Sequence, residues 1–180
     1  MKEHFPKRKI SLYSPELDSS LVHSLEYFTY PKEFDRFKEI ILELSQKQFY
    51  EDEYIKIEIY LGDAREYIKK FSNKFDIVYQ DAFSPSSNPI LWTKEYFRDI
   101  KNAMSYSGIL TTYSIALKTR LALYENGFYV YLNSGEDFRT ATVASLEPLV
   151  SFELVDMEHK ISCNPDVKAL SDEELGVDYI

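Results

Sequence analysis

The segment from Phe75 to Gln80 constrains the fold of this chain most, because it is an apolar run that ends on an aspartate. Asp81 follows it, and an aromatic, proline-containing loop then leads to Trp92. A short apolar run bounded by turn residues is typical of a strand covered on both faces, as in a parallel sheet. In open α/β sheets, ligands bind just beyond the carboxyl ends of such strands. The stretch from Asp81 to Trp92 is therefore the predicted place for chemistry.

Strands and helices are predicted to alternate along the whole chain. The spacing of apolar residues predicts strands at 9–13, 54–61, 75–80, 109–113, 128–132 and 140–146. It predicts helices at 14–28, 31–50, 64–71, 93–107 and 115–125. This order favours an α/β fold with a mostly parallel sheet and an antiparallel edge made by the last two strands. One domain is expected over residues 1–150, followed by an acidic, weakly patterned tail at 151–180.

Composition narrows the classes of function. The formal charge is −9, from 21 basic and 30 acidic side chains, which is unfavourable for broad nucleic-acid binding unless a local basic patch supplies it. One cysteine and three scattered histidines give no pattern typical of a metal site. The sequence has no secretory signal or long apolar run, which favours a soluble cytoplasmic protein without a membrane partner.

Two short motifs stand where predicted strands end. In Gly62-Asp63-Ala64, glycine allows close approach of a backbone, and the carboxylate can accept a hydrogen bond from an exocyclic amino group such as that of adenine. The alternative is that Asp63 only caps the following helix. In Asp81-Ala-Phe-Ser-Pro, a carboxylate beside a loop carbonyl suits an amine nucleophile, which Asp81 would orient and deprotonate. The alternative there is a loop-closing turn.

The end of the loop and two arginines complete the set of candidate residues. Asn88-Pro-Ile-Leu-Trp-Thr predicts a turn that leads into a helix capped by Thr93. Trp92 would either pack the loop onto the core or flank a planar substrate. Arg120, with Lys118 nearby, and Arg139 are expected near one sheet edge, where they contact phosphate or only form a solvated face.

Together these motifs resemble the MnmC-type methyltransferases over about Lys9 to Ser145. The motifs that carry the resemblance are Asp81-Ala-Phe-Ser-Pro, Asn88-Pro-Ile-Leu-Trp-Thr, Gly62-Asp63, Ser107-Gly108-Ile-Leu and Asn126-Gly127-Phe128. The resemblance implies a class I, Rossmann-like methyltransferase fold and S-adenosylmethionine as cofactor. It also implies methylation of the aminomethyl group on the wobble uridine of tRNA.

The resemblance also implies roles for individual residues. Asp63 matches the acid that contacts adenine, and Asp81 matches the aspartate at the methyl-acceptor site. The implied cofactor-binding residues are Glu16, Asp63, Ala64 and Asp81. The implied substrate-binding residues are Phe83, Pro85, Asn88, Trp92 and Arg139.

The sequence departs from the family in three places. Members hold the methionine half of the cofactor with an acidic-Gly-x-Gly loop, and none of the 5 glycines here forms that motif. An N-terminally truncated member is therefore expected, which binds S-adenosylmethionine weakly or not at all. The acid that holds the ribose falls near Tyr13, so either Glu16 substitutes for it or the contact is lost. A basic region of the family is reduced to Gly135-Glu-Asp-Phe-Arg139, which weakens the expectation of tRNA binding.

Two other functions fit parts of the pattern. A polyamine-synthase-like aminopropyltransferase also uses a strand-end aspartate, a proline-containing loop and a threonine-capped helix, although Trp92 disfavours it. A non-catalytic partner subunit of a tRNA-modifying complex would keep the fold without the chemistry of Asp81.

Overall fold

The computed structural model describes residues 8–177. The first seven residues of the predicted domain and the last three of the predicted tail lie outside them. The chain forms two compact units, of which one ends at Tyr67 and the other begins at Ile68.

The first unit contains a three-stranded sheet with the order β1-β3-β2. Its strands are β1 (Ile10–Glu16), β2 (Phe49–Glu51) and β3 (Ile55–Leu61). β1 runs parallel to β3, whereas β2 pairs with β3 in antiparallel fashion. Helices α1 (Ser19–His23) and α2 (Lys38–Lys47) lie between β1 and β2, and α3 (Ala64–Ile68) follows β3.

The start of the first predicted helix is wrong. β1 continues through Ser14 and Pro15 as far as Glu16, and α1 begins only at Ser19. β1 is an edge strand of its sheet. A proline is tolerated there because no strand on the open side of β1 requires a backbone hydrogen bond from it. The helix is capped instead by Asp18, whose carboxylate accepts from the amides of Ser20 and Leu21. Glu16 therefore lies at the carboxyl end of a strand.

The helix predicted over residues 31–50 is only partly right. Lys32–Phe37 forms a 3₁₀ helix, and α2 begins at Lys38. Gln48 ends α2 in a left-handed conformation, with φ 58°, and β2 follows at once. The apolar stripe that predicted one long helix also includes Phe34 and Phe37, whose rings instead contact each other.

The second unit contains a five-stranded sheet with the order β4-β5-β7-β6-β8. Its strands are β4 (Phe75–Tyr79), β5 (Met104–Thr112), β6 (Tyr129–Asn133), β7 (Ala141–Ser145) and β8 (Glu153–Leu154). Its helices are α4 (Lys94–Ala103), α5 (Leu117–Glu125), α6 (Met157–Cys163) and α7 (Asp172–Leu175). β4 and β5 are parallel, and the remaining pairs are antiparallel. The α/β class and the antiparallel edge are confirmed, although the antiparallel part is larger than predicted.

β4 is not the doubly covered strand that its composition predicts. It lies at the end of its sheet and, among the described residues, pairs only with β5. Ile77 is 55% exposed and Tyr79 is 71% exposed. The prediction was wrong because an apolar run reports which residues can be buried, whereas the position of a strand in its sheet decides whether they are.

The core of the second unit lies around α4 and α5. One face of α4 is fully buried at Phe97, Ile100 and Ala103. This helix ends at Ala103, earlier than predicted, and β5 starts directly at Met104. Gly108 is part of β5, and a side chain there would approach the Phe75 carbonyl to 2.8 Å. Its glycine therefore permits close contact with β4 and does not end the helix.

The segment after residue 150, predicted to be an acidic tail, contributes to the second unit. β8 pairs with β6, and Val155 and Met157 beside it are buried. The amide of Asp172 donates to the Glu95 carboxylate at 2.9 Å. Apolar and capping residues thus anchor a segment whose overall composition is acidic.

Candidate active site

The loop from Asp81 to Trp92 leaves the carboxyl end of β4 and is held by three side chains. Each donates a hydrogen bond to a backbone carbonyl of the loop: Gln80 Nε2 to Leu91 at 2.6 Å, Trp92 Nε1 to Phe83 at 2.7 Å and Tyr113 Oη to Ala82 at 2.8 Å. A fixed backbone is what a site on a loop requires if it is to hold a substrate in one orientation.

The middle and the end of the loop follow the turn chemistry of the sequence. The Ser84 carbonyl accepts from the amides of Ser87 and Asn88, at 2.8 and 2.9 Å. Pro89–Trp92 then forms a 3₁₀ turn. Thr93 accepts from the Tyr96 amide at 3.2 Å, so the predicted cap of α4 is confirmed.

Trp92 packs the loop onto the core. Its side chain is 0% exposed, and its ring has edge-on contacts with Phe97 and Tyr113, at centroid distances of 6.4 and 5.9 Å. This arrangement corresponds to the first of the two roles expected for Trp92. A ring without exposed surface shapes the loop and does not itself flank a substrate.

Asp81 and Phe83 form the exposed part of the loop. The Asp81 side chain is exposed and accepts no hydrogen bond from the residues that the structure describes. The Phe83 ring is 80% exposed. The carbonyls of Ala82 and Phe83 each accept one hydrogen bond and keep a second lone pair. Residues 81–83 of the loop thus carry an exposed carboxylate, two carbonyl oxygens and an exposed aromatic ring, a set of groups that suits a cationic or neutral amine on a planar group.

The two arginines differ in their surroundings. Arg120 is half-buried, and its Nε donates to Thr142 Oγ1 at 3.2 Å; burial lowers the pKa of its guanidinium. Arg139 is exposed and stands two residues before β7. Because Thr142 pairs with Thr112 at the carboxyl end of β5, both arginines belong to segments at the predicted sheet edge. Arg139 is the more accessible of the two.

Gln80 and Tyr113 were not among the residues predicted for the site. Both stand at the ends of parallel strands, and their side chains reach across the loop. The sequence carried one usable signal for Gln80, which is a polar residue at the end of an apolar run. In the structure this residue is only 5% exposed. A buried amide needs a hydrogen-bond partner, and a neighbouring loop carbonyl is the nearest kind of acceptor.

The first unit carries the residues predicted to bind the cofactor. Glu16 ends β1 opposite Leu61 at the end of β3, and the Gly62 amide donates to the Glu16 carbonyl at 2.9 Å. Asp63 follows directly, so the two carboxylates lie at one edge of the sheet. Ala64 begins α3.

Both carboxylates also have a local structural role. Glu16 accepts from the Asp18 amide at 2.9 Å, and Asp63 Oδ1 accepts from the Arg65 amide at 2.7 Å. The capping role considered for Asp63 is therefore real. Each carboxylate retains lone pairs for a ligand, because each has two oxygens.

Gly62 is required by the backbone at this edge. Its φ of 154° is disfavoured for other residues, and a side chain there would meet the Tyr60 ring at 2.8 Å. Tyr60 in turn stacks on Tyr67 at 4.3 Å. The Tyr67 hydroxyl donates to Glu58 at 2.7 Å; burial, followed by this carboxylate, raises the pKa of Tyr67.

Comparison with known proteins identifies the family. Residues 31–146 match the family described as S-adenosyl-L-methionine-dependent methyltransferase. The chain belongs to this family. Over 121 residues, or 67% of the chain, it is 28% identical to the tRNA 5-methylaminomethyl-2-thiouridine biosynthesis bifunctional protein MnmC of Leptospira interrogans. An uncharacterised protein of Methanocaldococcus jannaschii is 40% identical over 81 residues, which make up 45% of the chain.

Solved structures agree with this assignment. MnmC2 of Aquifex aeolicus matches 98% of the chain with a TM-score of 0.76 and 30% identity. A probable spermidine synthase of Corynebacterium glutamicum matches 96% of the chain and 74% of its own, with a TM-score of 0.54 and 14% identity, which shows a shared fold alone. The chain spans 18% of the Leptospira protein, 23% of the Methanocaldococcus protein and 56% of the Aquifex chain.

The residues of this chain fit one half of the family's cofactor. Glu16 and Asp63 offer two carboxylates at the ends of adjacent parallel strands, which suits hydroxyl and amino donors of an adenosine group. The sequence contains no Gly-x-Gly loop for the methionine half.

In the described residues, no helix is long and apolar enough to cross a bilayer.

Proposed function

We propose that this chain is a methyl-transfer domain that acts on an amine attached to the wobble uridine of tRNA. The observation that carries the proposal is the fixed loop at the end of β4, which carries the exposed Asp81 and, two residues on, the exposed ring of Phe83. Membership of an S-adenosylmethionine-dependent family supports methyl transfer as the reaction. The names of the MnmC relatives support tRNA as the substrate, and a cytoplasmic location follows from that substrate.

The loop would act first by binding the base. The exposed ring of Phe83 offers a flat apolar face, and single-stranded bases stack on such faces in many RNA-binding sites. Pro85 and Asn88 restrict the conformation of the turn that follows this ring, and the buried Trp92 holds the loop against the core. With a net charge of −9, phosphate contacts would be few, and Arg139 is the exposed candidate for one of them.

Asp81 would act on the amine. When bound, S-adenosylmethionine supplies an electrophilic methyl group. The amine must be neutral to react, and the Asp81 carboxylate can accept a hydrogen bond from one of its N–H groups and so orient the nitrogen lone pair. Because methylation would leave the nitrogen positively charged, the Asp81 carboxylate would stabilise that charge and accept the proton that the product loses.

Glu16 and Asp63 would hold the adenosine group. Their carboxylates can accept from the ribose hydroxyls and from the adenine amino group, and Gly62 leaves room for a ligand to approach the backbone. Because these contacts cover only one half of the cofactor, we expect weak binding. The transfer reaction is therefore best measured at high cofactor concentration.

The test is a methyl-transfer assay with tRNA that carries 5-aminomethyl-2-thiouridine. The tRNA is digested after incubation with the chain and labelled S-adenosylmethionine, and the nucleosides are identified by mass spectrometry. Asp81→Asn should lower kcat/KM at least 100-fold, about the lower limit for loss of a general base. Asp76→Asn, on exposed β4, is the matched control and should keep the parent rate.

Two outcomes would contradict the proposal. One is a parent chain that transfers no methyl group to this tRNA at saturating cofactor. The other is an Asp81→Asn variant that remains fully active, which would instead favour a non-catalytic subunit.

A further inference from the structure

Tyr113 lies where the backbone ladder between β4 and β5 ends. Val78 pairs with Leu110 and Tyr79 with Thr111, and the Gln80 amide still donates to the Thr111 carbonyl at 2.9 Å. Beyond that point no backbone bond joins the two segments in the part of the chain that the structure describes. The next link is a side chain, since the Tyr113 hydroxyl donates to the Ala82 carbonyl at 2.8 Å.

Hydrogen bonds hold the backbone on both sides of Asp81. On one side, the Gln80 backbone is fixed to β5 by its amide. On the other side, Tyr113 fixes the peptide plane between Ala82 and Phe83. The Asp81 carboxylate itself has no partner among the described residues, so its direction depends on the backbone of its two neighbours.

We propose that Tyr113 is a positioning residue, whose hydroxyl fixes the Ala82 carbonyl and thereby aims the Asp81 carboxylate at the amine of the substrate. The part of this inference that concerns the reaction rests on the proposed function. The part that concerns the orientation of the loop rests only on the hydrogen bonds described above. Tyr113 is 50% exposed and its ring contacts Trp92 edge-on. It therefore connects the exposed acceptor site to the buried anchor of the loop.

The position of Tyr113 favours a role in orientation over a role in stability. A half-exposed hydroxyl bonded to a loop carbonyl contributes little to folding, because water can replace the bond in the unfolded chain. The same bond restricts a backbone next to a reacting group, where small displacements have large effects on rate. Loss of this hydrogen bond should therefore change the kcat and KM for the tRNA more than it changes the melting temperature.

The test compares Tyr113→Phe with Tyr106→Phe. The first variant keeps the ring that touches Trp92 and removes only the hydroxyl. The second removes a hydroxyl from a tyrosine in β5 that is 67% exposed and for which no hydrogen bond to other described residues is observed. Each variant is measured for kcat and for the KM of the aminomethyl tRNA and of S-adenosylmethionine.

A second readout does not depend on activity. Trp92 is the only tryptophan in the chain, so acrylamide quenching of its fluorescence reports how tightly the loop is held. In Tyr113→Phe, kcat/KM for the tRNA should fall about tenfold, because an Asp81 that is less firmly held adopts the reactive orientation less often. The KM of S-adenosylmethionine should stay constant, and quenching of Trp92 should increase. Tyr106→Phe should match the parent in every measurement.

The inference is overturned if Tyr113→Phe shows the parent KM, kcat and quenching. It is also overturned if the variant only melts earlier, with unchanged kinetics, because that would be a purely structural effect. If the parent chain transfers no methyl group, the proposed function fails separately. The quenching comparison then decides alone whether Tyr113 holds the loop.

Discussion

Replacing Gln80 by methionine tests how the acceptor loop is attached to the protein. Gln80 is 5% exposed, and its Nε2 donates to the Leu91 carbonyl at 2.6 Å. Methionine has a similar length and fills the same space, so the substitution removes the hydrogen bond without opening a large cavity. What remains is a Leu91 carbonyl that has lost its partner next to Trp92.

The size of the effect follows from that carbonyl. Loss of a partner for a buried polar group costs about 1–3 kcal/mol. Leu91 is half-buried, so water reaches its carbonyl in part, and the lower range of about 1–2 kcal/mol applies. For the second unit, which begins at Ile68 and whose unfolding Trp92 reports, the corresponding decrease in melting temperature is about 4–8 °C.

The assay follows thermal unfolding through Trp92 fluorescence. Because the chain forms two units, a global signal would mix two transitions, whereas Trp92 reports on the second unit alone. Gln46→Met, at an exposed position in α2, is the matched control and should leave this transition unchanged. A Gln80→Met variant that melts at the parent temperature, with Trp92 equally protected, would refute the claim that Gln80 secures the loop.

Two further predictions concern the first unit. Gly62→Ala should destabilise it by about 1–3 kcal/mol, because it forces a residue into a disfavoured conformation and against the Tyr60 ring. Hydrogen exchange of the β1 and β3 amides reports on the first unit alone and measures this effect, and unchanged protection of those amides would be the contrary result. Glu16→Gln combined with Asp63→Asn should weaken S-adenosylmethionine binding by more than tenfold, because both carboxylates accept hydrogen bonds from the cofactor in the proposed complex. Calorimetry measures the affinity, and an affinity equal to that of the parent would remove these residues from the site.

The sequence predicted the elements near the loop well. Local chemistry determines them: Asn88 and Pro89 make the turn, Thr93 caps α4, and Gly127 follows α5 with φ 81°. Such features depend on a few neighbouring residues, so a sequence pattern is enough to find them.

Features that depend on distant residues were harder to predict. The exposure of Ile77 and Tyr79 depends on the position of β4 in its sheet, and the extension of β1 through Pro15 depends on its lying at an edge. The roles of Gln80 and Tyr113 depend on contacts to loop carbonyls, and the Tyr113 contact spans 31 residues. No local pattern reports a contact over that distance.

The proposed chemistry makes Asp81 the residue that orients the reacting amine. The most direct test is the nucleoside product formed from 5-aminomethyl-2-thiouridine tRNA by the parent chain and by Asp81→Asn at saturating S-adenosylmethionine. The parent is expected to form 5-methylaminomethyl-2-thiouridine, and the variant is expected to show at least a 100-fold lower kcat/KM. Equal formation of the methylated nucleoside by both proteins, or none by the parent, would contradict this role of Asp81.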